Sequence, residues 1–244
     1  MVLPKSAQES QDNQPVTIAD RVYTLIQKAI VEGELPPGSK ISEPELARNY
    51  GVSRGSLREA IGRLEACGLV IRKTNVGARV VALSNEGLLE IYRVREALEG
   101  MAARLAAKAM KRDEVAELRQ LLAHHEEHIE LEKGHSYFQK EGDLDFHFRI
   151  VKGCRNRLLI NLLCNDLYHL VRLYRYQFGM ASSRAPQAFG EHEHIVDAIG
   201  HGDGEMAELL MRRHIRASRE NVERVLANQL TDSAETDSNK GVQK

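Results

Sequence analysis

The sequence predicts a mainly α protein with an N-terminal winged helix-turn-helix and a C-terminal all-α helical bundle. Residues 41–81 read as two short helices, a tight turn and a strand hairpin, with arginines along one side. From Glu86 onward, apolar residues recur at helical spacing without the alternation of a strand. We therefore expect a first domain at residues 17–83 and a second at 84–229. The polar ends, residues 1–16 and 230–244, are expected to be disordered tails.

Composition excludes several classes of protein. The 244 residues carry a formal net charge of −1, and no stretch approaches the roughly 20 apolar residues of a membrane span. The polar N-terminus lacks the apolar core of a secretory signal. Cys67, Cys154 and Cys164 are widely spaced, which favours buried, reduced thiols. These features predict a cytoplasmic protein that does not interact with membranes.

The first predicted helix covers about residues 18–32, and a proline-containing connector follows it. Its apolar stripe consists of Val22, Leu25, Ile26 and Ala29. Pro36 and Pro37 cannot continue a helix, and Gly38 supplies a turn.

The helix-turn-helix comes next. Ser42 and Glu45 have the spacing of a capping box at the start of a helix, and Gly51 ends that helix. Ser53 caps a second helix. Its apolar face consists of Leu57, Ala60, Ile61 and Leu64. After Gly68, the segments LVIRK and ARVV, joined by TNVG, predict the two strands of a wing.

Positive charge is concentrated in residues 48–79, which contain seven Lys or Arg and two acids in a nearly neutral chain. Such a patch indicates a polyanionic partner, because phosphate neutralisation releases counterions. The alternative is a solvated basic helix face. Arg54 and Arg58 lie where a recognition helix enters the major groove of double-stranded DNA. The candidate DNA contacts are Ser53, Arg54, Ser56, Arg58, Arg72, Lys73, Gly77 and Arg79.

The C-terminal half predicts six amphipathic helices that form a bundle. Their expected ranges are 86–110, 113–132, 137–152, 156–179, 187–200 and 203–228. Ser84 or Asn85 is expected to cap the first of them, which sets the domain boundary near Leu83.

Four side chains of metal-ligand type lie on apolar faces of these helices. Asp143 and His147 are four residues apart and leave one helix face, and His192 and His214 each share a face with apolar residues. Three imidazoles and a carboxylate in a bundle core can bind a divalent transition metal and leave positions open. The alternative is that these histidines are hydrogen-bonded core residues. A second group, His124, Glu127 and His128, is interpreted as a solvated helix face.

Arg95 interrupts the apolar stripe of the first bundle helix. A buried guanidinium needs an anionic partner and suits bidentate binding of a carboxylate. That partner is either an internal glutamate or the carboxylate of a bound small acid, and the spacing leaves both open.

Taken together, these segments resemble the GntR family of bacterial transcription regulators, in particular its FadR-like group with an FCD effector domain. The resemblance rests on residues 30–70 and NVGARVV, then on DLDFH followed by Arg155-Asn156, EHEHIVDAI and LLMRRHI. The chain departs from the family pattern at Ser56, where proline is usual, and at Pro44. The resemblance covers residues 19–225.

The resemblance implies the site residues and the partners. It selects Asp143, His147, His192 and His214 as metal ligands and excludes His194. Zinc suits this nitrogen-rich set best, with nickel, manganese or iron as alternatives. It also implies a homodimer that binds a palindromic operator in the bacterial nucleoid, as a repressor that senses a small carboxylic acid.

The segments EPELARNYGVSRG and EGDLDFHFRIVKGCRN are also similar to those of regulators found beside propionate and 2-methylcitrate catabolism genes. This similarity implies a di- or tricarboxylate effector such as 2-methylcitrate, with Arg95 binding one carboxylate. Two other functions stay open. A metal-dependent hydrolase could use the same ligand set, although no motif supplies a general base. A constitutive DNA-binding protein would use the bundle only to dimerise.

Overall fold

The computed structural model describes residues 17–73, 76–82, 84–131, 142–177 and 184–240. The N-terminal part consists of α1 (Ile18–Val31), α2 (Glu43–Asn49), α3 (Arg54–Ala66), β1 (Val70–Lys73) and β2 (Gly77–Val80). The C-terminal part consists of α4 (Asn85–Ala109), α5 (Arg112–Leu131), α6 (Gly142–Gly153), α7 (Arg157–Ile160), a π-helix (Asn161–Leu167), α8 (Tyr168–Gln177), α9 (Ala185–Gly200) and α10 (Gly204–Lys240). This architecture confirms the predicted fold class.

Disorder is predicted for both ends of the chain, and the structure describes part of the C-terminal end. Residues 1–16 and 241–244 lie outside the described residues. Helix α10, in contrast, continues to Lys240 and includes the first part of the segment 230–244, for which the sequence predicts disorder.

The capping box of the N-terminal part lies at α1. The Thr17 hydroxyl accepts a hydrogen bond from the Asp20 amide at 3.0 Å, and the Asp20 carboxylate accepts one from the Thr17 amide at 2.8 Å. The capping box predicted at Ser42 is wrong, because Ser42 precedes α2 without a side-chain capping bond. Pro44 stands in the first turn of α2 and has no amide hydrogen, which removes one of the donors that a cap can bind.

The turn between α2 and α3 follows the sequence prediction. Gly51 has a φ of +63°, in the left-handed region that glycine adopts without strain. Ser53 caps α3 by accepting a hydrogen bond from the Ser56 amide at 3.1 Å. The predicted apolar face of α3 is fully buried, and it consists of Leu57, Ala60, Ile61 and Leu64.

The wing is an antiparallel pair of strands, with Val70 opposite Val80 and Lys73 opposite Gly77. The connector before α2 also pairs with β2. The Ile41 amide donates to the Ala78 carbonyl at 2.9 Å, and the Val80 amide donates to the Ser39 carbonyl at 3.0 Å. The pairing of the connector with β2 was not predicted, because it involves only a few residues and follows two prolines, which argue against a strand.

The bundle is built around α4, which packs along α10 and also contacts α6 and α9. Ser84 caps α4 as predicted, and its hydroxyl accepts a hydrogen bond from the Gly87 amide at 3.1 Å. The helix predicted over residues 156–179 is divided into α7, the π-helix and α8. Apolar spacing alone does not distinguish a π-helical stretch inside a longer helix.

Helix α8 contributes to two hydrophobic cores. Tyr168, Val171 and Tyr174 are buried in the core of the bundle. Leu173, which is fully buried, belongs instead to the core of the N-terminal part, against which Leu170 also packs. The two parts of the chain therefore share this helix.

Two predictions about the whole chain concern membranes and thiols. Among the described residues, no helix combines the length and the apolar character needed to cross a membrane. Cys67, Cys154 and Cys164 are free and buried, as predicted. Burial raises the pKa of the Cys164 thiol to about 11, which keeps it protonated and unreactive near neutral pH.

Candidate metal centre and nucleic-acid interface

Three helices of the bundle bring three histidines together. His147 comes from α6, His192 from α9 and His214 from α10, and all three are buried. One ring nitrogen of each lies within 4.8 Å of the others. The Nε2 atoms of His192 and His214 are 3.2 Å apart. The structure thus assembles the three predicted imidazoles at one point in the core.

Apolar packing fixes these imidazoles in place. Ile195, Val196 and Ile199, on the face of α9 that carries His192, are buried as the sequence predicts. The Phe146 ring stacks on the His192 ring with a centroid distance of 4.0 Å. Asp143, the fourth predicted ligand, lies in α6 one turn before His147, and its side chain is outside the described residues.

Two carboxylates orient the imidazoles. Glu99 Oε2 lies 2.6 Å from His147 Nδ1, and Glu191 Oε2 lies 2.7 Å from His214 Nδ1. A carboxylate on Nδ1 leaves Nε2 available to a metal, which is the usual arrangement around histidine ligands. Arg184 in turn contacts Glu191 at 2.6 Å. Burial raises the pKa of Glu191, but the opposite effect of His214 and Arg184 is larger, so the pKa lies below its usual value.

This donor set fits a divalent transition metal. Three neutral imidazoles suit zinc, nickel and iron better than the hard cations magnesium and calcium, which prefer oxygen ligands. Within the described residues, His147, His192 and His214 are the group of potential ligands close enough to share one ion. His124 and His194 are exposed, and the side chains of Glu127 and His128, the other members of the second predicted group, lie outside the described residues.

Arg95 has an internal partner. The side chain is 1% exposed, and its Nε donates a hydrogen bond to Glu99 Oε1 at 2.6 Å. The rings of Tyr92 and Tyr168 lie 5.1 Å and 5.8 Å from the guanidinium carbon. Burial raises the pKa of Glu99, but Arg95 and His147 outweigh this and lower it to about 2. Of the two partners left open by the sequence, the structure provides the internal glutamate.

Sequence reasoning missed Glu99 and Glu191. Glu99 stands four residues after Arg95 and therefore on the same helix face, so the pairing signal was present. Glu191 directly precedes His192 and points to a histidine of another helix, and helical spacing does not predict contacts between helices.

The predicted recognition helix exposes its N-terminal half. Arg54 and Arg58 are exposed at the start of α3, where Ser53 is also exposed and Ser56 is half-buried. Arg58 Nε lies 3.5 Å from Glu43 Oε2 of α2, which is a weak exposed ion pair. The guanidinium groups therefore remain accessible to a large anionic partner.

The wing positions take different environments. Lys73 and Gly77 are exposed. Arg72 forms long ion pairs with Glu43 at 3.7 Å and Glu65 at 3.6 Å. Arg79 is half-buried, and its Nη1 donates a hydrogen bond to the Gly38 carbonyl at 2.8 Å. Arg79 thus holds the connector against the wing, a structural role that the sequence did not predict.

Comparison with known proteins gives matches over most of the chain. The family of bacterial regulatory proteins named gntR matches residues 18–80, and the FCD domain family matches residues 90–217. A probable D-xylose utilization operon transcriptional repressor of Paenarthrobacter nicotinovorans is 33% identical over 218 residues, covering 82% of this chain and 87% of the relative. The transcriptional repressor RspR of Escherichia coli is 26% identical over 217 residues, covering 89% and 94%.

A solved structure supports the same fold. Escherichia coli McbR/YncC aligns with a TM-score of 0.70 at 21% identity, covering 86% of this chain and 98% of that one. The matched families and relatives are transcription regulators, which confirms the prediction that the chain is not an enzyme. The chain belongs to the GntR family of bacterial transcription regulators, with an N-terminal GntR helix-turn-helix domain and a C-terminal FCD domain.

Proposed function

We propose that this protein is a bacterial repressor that binds a palindromic operator as a homodimer in the cytoplasm and senses a small carboxylic acid through a metal. The observation that carries the proposal is the buried cluster of His147, His192 and His214 in the same chain as a DNA-binding domain. Three buried imidazoles whose ring nitrogens converge form a donor set that a divalent ion can bind, and binding of the ion would stabilise the folded protein.

The metal is held by these three histidines and by Asp143. Zinc is the leading candidate, since tetrahedral and five-coordinate zinc accepts imidazole and carboxylate and keeps positions open for a ligand. Glu191 supports the proposal, because its hydrogen bond with His214 Nδ1 favours the tautomer that offers Nε2, and Glu99 lies 2.6 Å from His147 Nδ1.

The effector completes the coordination of the metal with one carboxylate. A di- or tricarboxylate such as 2-methylcitrate is the leading candidate. Glu99 contacts His147 on one side and the buried Arg95 guanidinium on the other, so Arg95 offers a second cationic group near the proposed metal. Arg95 Nη2 supports this assignment, since it has no hydrogen-bond partner among the described residues.

Dimerisation follows from the demands of DNA recognition. One recognition helix makes few base contacts, and two helices related by a two-fold axis double them. The effector changes operator affinity only as far as it binds the free and the DNA-bound forms differently. If operator affinity is independent of every acid tested, the alternative of a constitutive DNA-binding protein is correct.

A thermal-shift screen of organic acids on zinc-loaded protein tests the proposal, preceded by elemental analysis of untagged protein. We expect about one metal per chain and stabilisation by polycarboxylates, both lost in His192→Ala. His194→Ala is the matched control, because it removes an exposed imidazole two residues away. A metal content near zero that zinc and nickel do not restore contradicts the metal site. Stabilisation by sugars alone contradicts the effector class.

A further inference from the structure

Glu99 lies between the two groups that an effector would use. Its Oε1 accepts a hydrogen bond from Arg95 Nε at 2.6 Å, and its Oε2 lies 2.6 Å from His147 Nδ1. The carboxylate is completely buried, as is the guanidinium. One carboxylate therefore links the proposed metal ligand to the proposed effector-binding arginine.

The position of Glu99 resembles that of a bound acid. A guanidinium without an anion is costly in a protein core, and Glu99 provides that anion from four residues along the same helix. The pairing uses a single nitrogen of the guanidinium, although a carboxylate can engage two. Among the described residues, Nη2 of Arg95 has no hydrogen-bond partner, so the arginine can still donate to another acceptor.

We propose that Glu99 is an internal competitor of the effector, which occupies Arg95 until an effector with a second carboxylate displaces it. This inference rests on the proposed function and adds a charge requirement. An acid with one carboxylate binds the metal and leaves the pair of Arg95 and Glu99 intact. An acid with two carboxylates binds the metal with one and takes Arg95 with the other.

The displaced Glu99 has a route to the DNA-binding domain. The Arg95 guanidinium that Glu99 binds lies 5.8 Å from the ring of Tyr168, the first residue of α8. From its other side, α8 places Leu170 and Leu173 against the core of the N-terminal domain. A change at Glu99 therefore acts on a helix that both domains share.

Two acids that differ by one carboxylate test the proposal on zinc-loaded, full-length protein. 2-Hydroxyisobutyrate and citramalate share the same hydroxy-acid group, and citramalate carries one further carboxylate. Calorimetry measures binding, and hydrogen exchange measures the protection of backbone amides in α8 and α1. We expect both acids to bind and only citramalate to change the exchange in α8 and α1.

The possible outcomes distinguish the role of Glu99 from the proposed sensing of carboxylates. Binding of both acids with the same change in exchange, or with none, overturns the role of Glu99 and leaves the carboxylate-sensing function standing. Failure of both acids to bind the zinc-loaded protein overturns the proposed function together with this inference.

Variants at position 99 provide a second test. Glu99→Gln removes the competing charge, so citramalate should bind about tenfold more tightly or better, while 2-hydroxyisobutyrate changes by less than about twofold. Amide exchange in α8 without any acid should match that of the wild type with citramalate. Glu96→Gln is the matched control, because it neutralises a glutamate of the same helix that pairs with Arg216 at the surface.

Glu99→Asp covers the case in which Glu99→Gln fails to fold or to hold zinc. The shorter side chain keeps the charge but moves the carboxylate away from Arg95. We therefore expect a smaller gain in citramalate affinity and a smaller change in the amide exchange of α8. Zinc content is measured for each variant before titration. Wild-type affinity for citramalate in every zinc-loaded variant at position 99 overturns the proposal.

Discussion

At the scale of single residues, the histidine cluster is held by carboxylates that contact the imidazoles of the proposed metal centre. Glu191 contacts His214 Nδ1 at 2.7 Å and is itself held by Arg184. The contact selects the tautomer in which Nε2 carries the lone pair, and it increases the basicity of the ring. The proposed metal affinity should therefore depend on the contact of Glu191 with His214 as well as on the ligand atoms themselves.

The first prediction concerns this contact. Glu191→Gln should weaken zinc binding by about 10- to 100-fold, since the amide cannot accept and hold the imidazole proton as strongly as a carboxylate. Competition with a chromogenic zinc chelator measures the affinity. Glu193→Gln, at an exposed position two residues on, is the control and should bind as the wild type does. Equal affinities for all three proteins would show that Glu191 only fills space.

The residue scale also shows how far the sequence can predict the site. His147, His192 and His214 were predicted, because an imidazole on an apolar stripe stands out and the family motifs select the same positions. The contacts of Glu191 could not be predicted, because its partner comes from another helix. Arg95 was recognised as buried, and only the fold decides between an internal glutamate and a bound acid as its partner.

At the scale of elements, α3 combines a buried face with an exposed, cationic N-terminus. The N-cap at Ser53 leaves Arg54 in the first turn, and Arg58 follows one turn later. Side chains at this spacing lie on one side of a helix and can reach adjacent base edges in a major groove. The wing adds Lys73 at the end of β1.

The second prediction separates base contacts from phosphate contacts. Arg54→Ala and Arg58→Ala should each weaken binding to an operator selected from random DNA by about 1–3 kcal/mol, and lower the preference over unrelated DNA. Lys73→Ala should weaken both DNAs alike and reduce the salt dependence. Fluorescence anisotropy at several salt concentrations measures these effects. Arg157→Ala, exposed in the bundle, is the control, and wild-type operator binding by both α3 variants would contradict the docking of this helix.

The carboxylate of Asp20 links the start of helix α1 to α3, in addition to the apolar contacts of α1 with the N-terminal core. Asp20 accepts hydrogen bonds from Thr17 and contacts Arg63 of α3 at 2.5 Å. The Thr17 hydroxyl and the Arg63 guanidinium lower the pKa of Asp20 from 3.8 to about 2. Since the folded-state pKa is the lower one, the stability from Asp20 is complete above the unfolded value and is lost as the pH falls through the folded value.

The third prediction follows from this shift. Asp20→Asn should lower stability near neutral pH, and the difference from the wild type should shrink between about pH 4 and pH 2. Urea unfolding at a series of pH values measures the free energy of unfolding of both proteins. Glu59→Gln, on the exposed side of α3, is the control for the removal of a negative charge. A difference that stays constant down to pH 2 would assign the effect to packing.

At the scale of the whole molecule, the two domains are joined by more than the covalent connection before α4. Leu173 of α8 is fully buried in the N-terminal core, in contact with a cluster that includes residues of α1 and α3. At the same junction, the Tyr174 hydroxyl lies close to Gly87 in the first turn of α4, where a Cβ atom would be 2.6 Å from it. The apolar pattern of α8 predicted burial of these side chains but not in which core.

The fourth prediction tests the coupling of the domains. Leu173→Ala should lower the free energy of unfolding by about 2–5 kcal/mol through the cavity that it creates. Because that cavity lies in the N-terminal core, calorimetry should show the DNA-binding domain melting separately, before the bundle. Leu162→Ala, at a 39% exposed position in the π-helix, is the control and should melt as the wild type does. A single transition for the whole protein, shifted to lower temperature, would contradict this prediction, because the two domains would then melt as one unit even without the Leu173 side chain.

Leu173 also bears on how regulators of this architecture can be recombined. A chimera that joins residues 17–83 of one protein to the effector half of another inherits a foreign side chain in the centre of its DNA-binding domain. Grafting therefore requires matching α8 to the recipient, at Leu170 and Leu173, as well as choosing the splice site. The same contact limits which substitutions the core of the DNA-binding domain can accept. Each of them must pack against α8, which lies about a hundred residues further along the sequence.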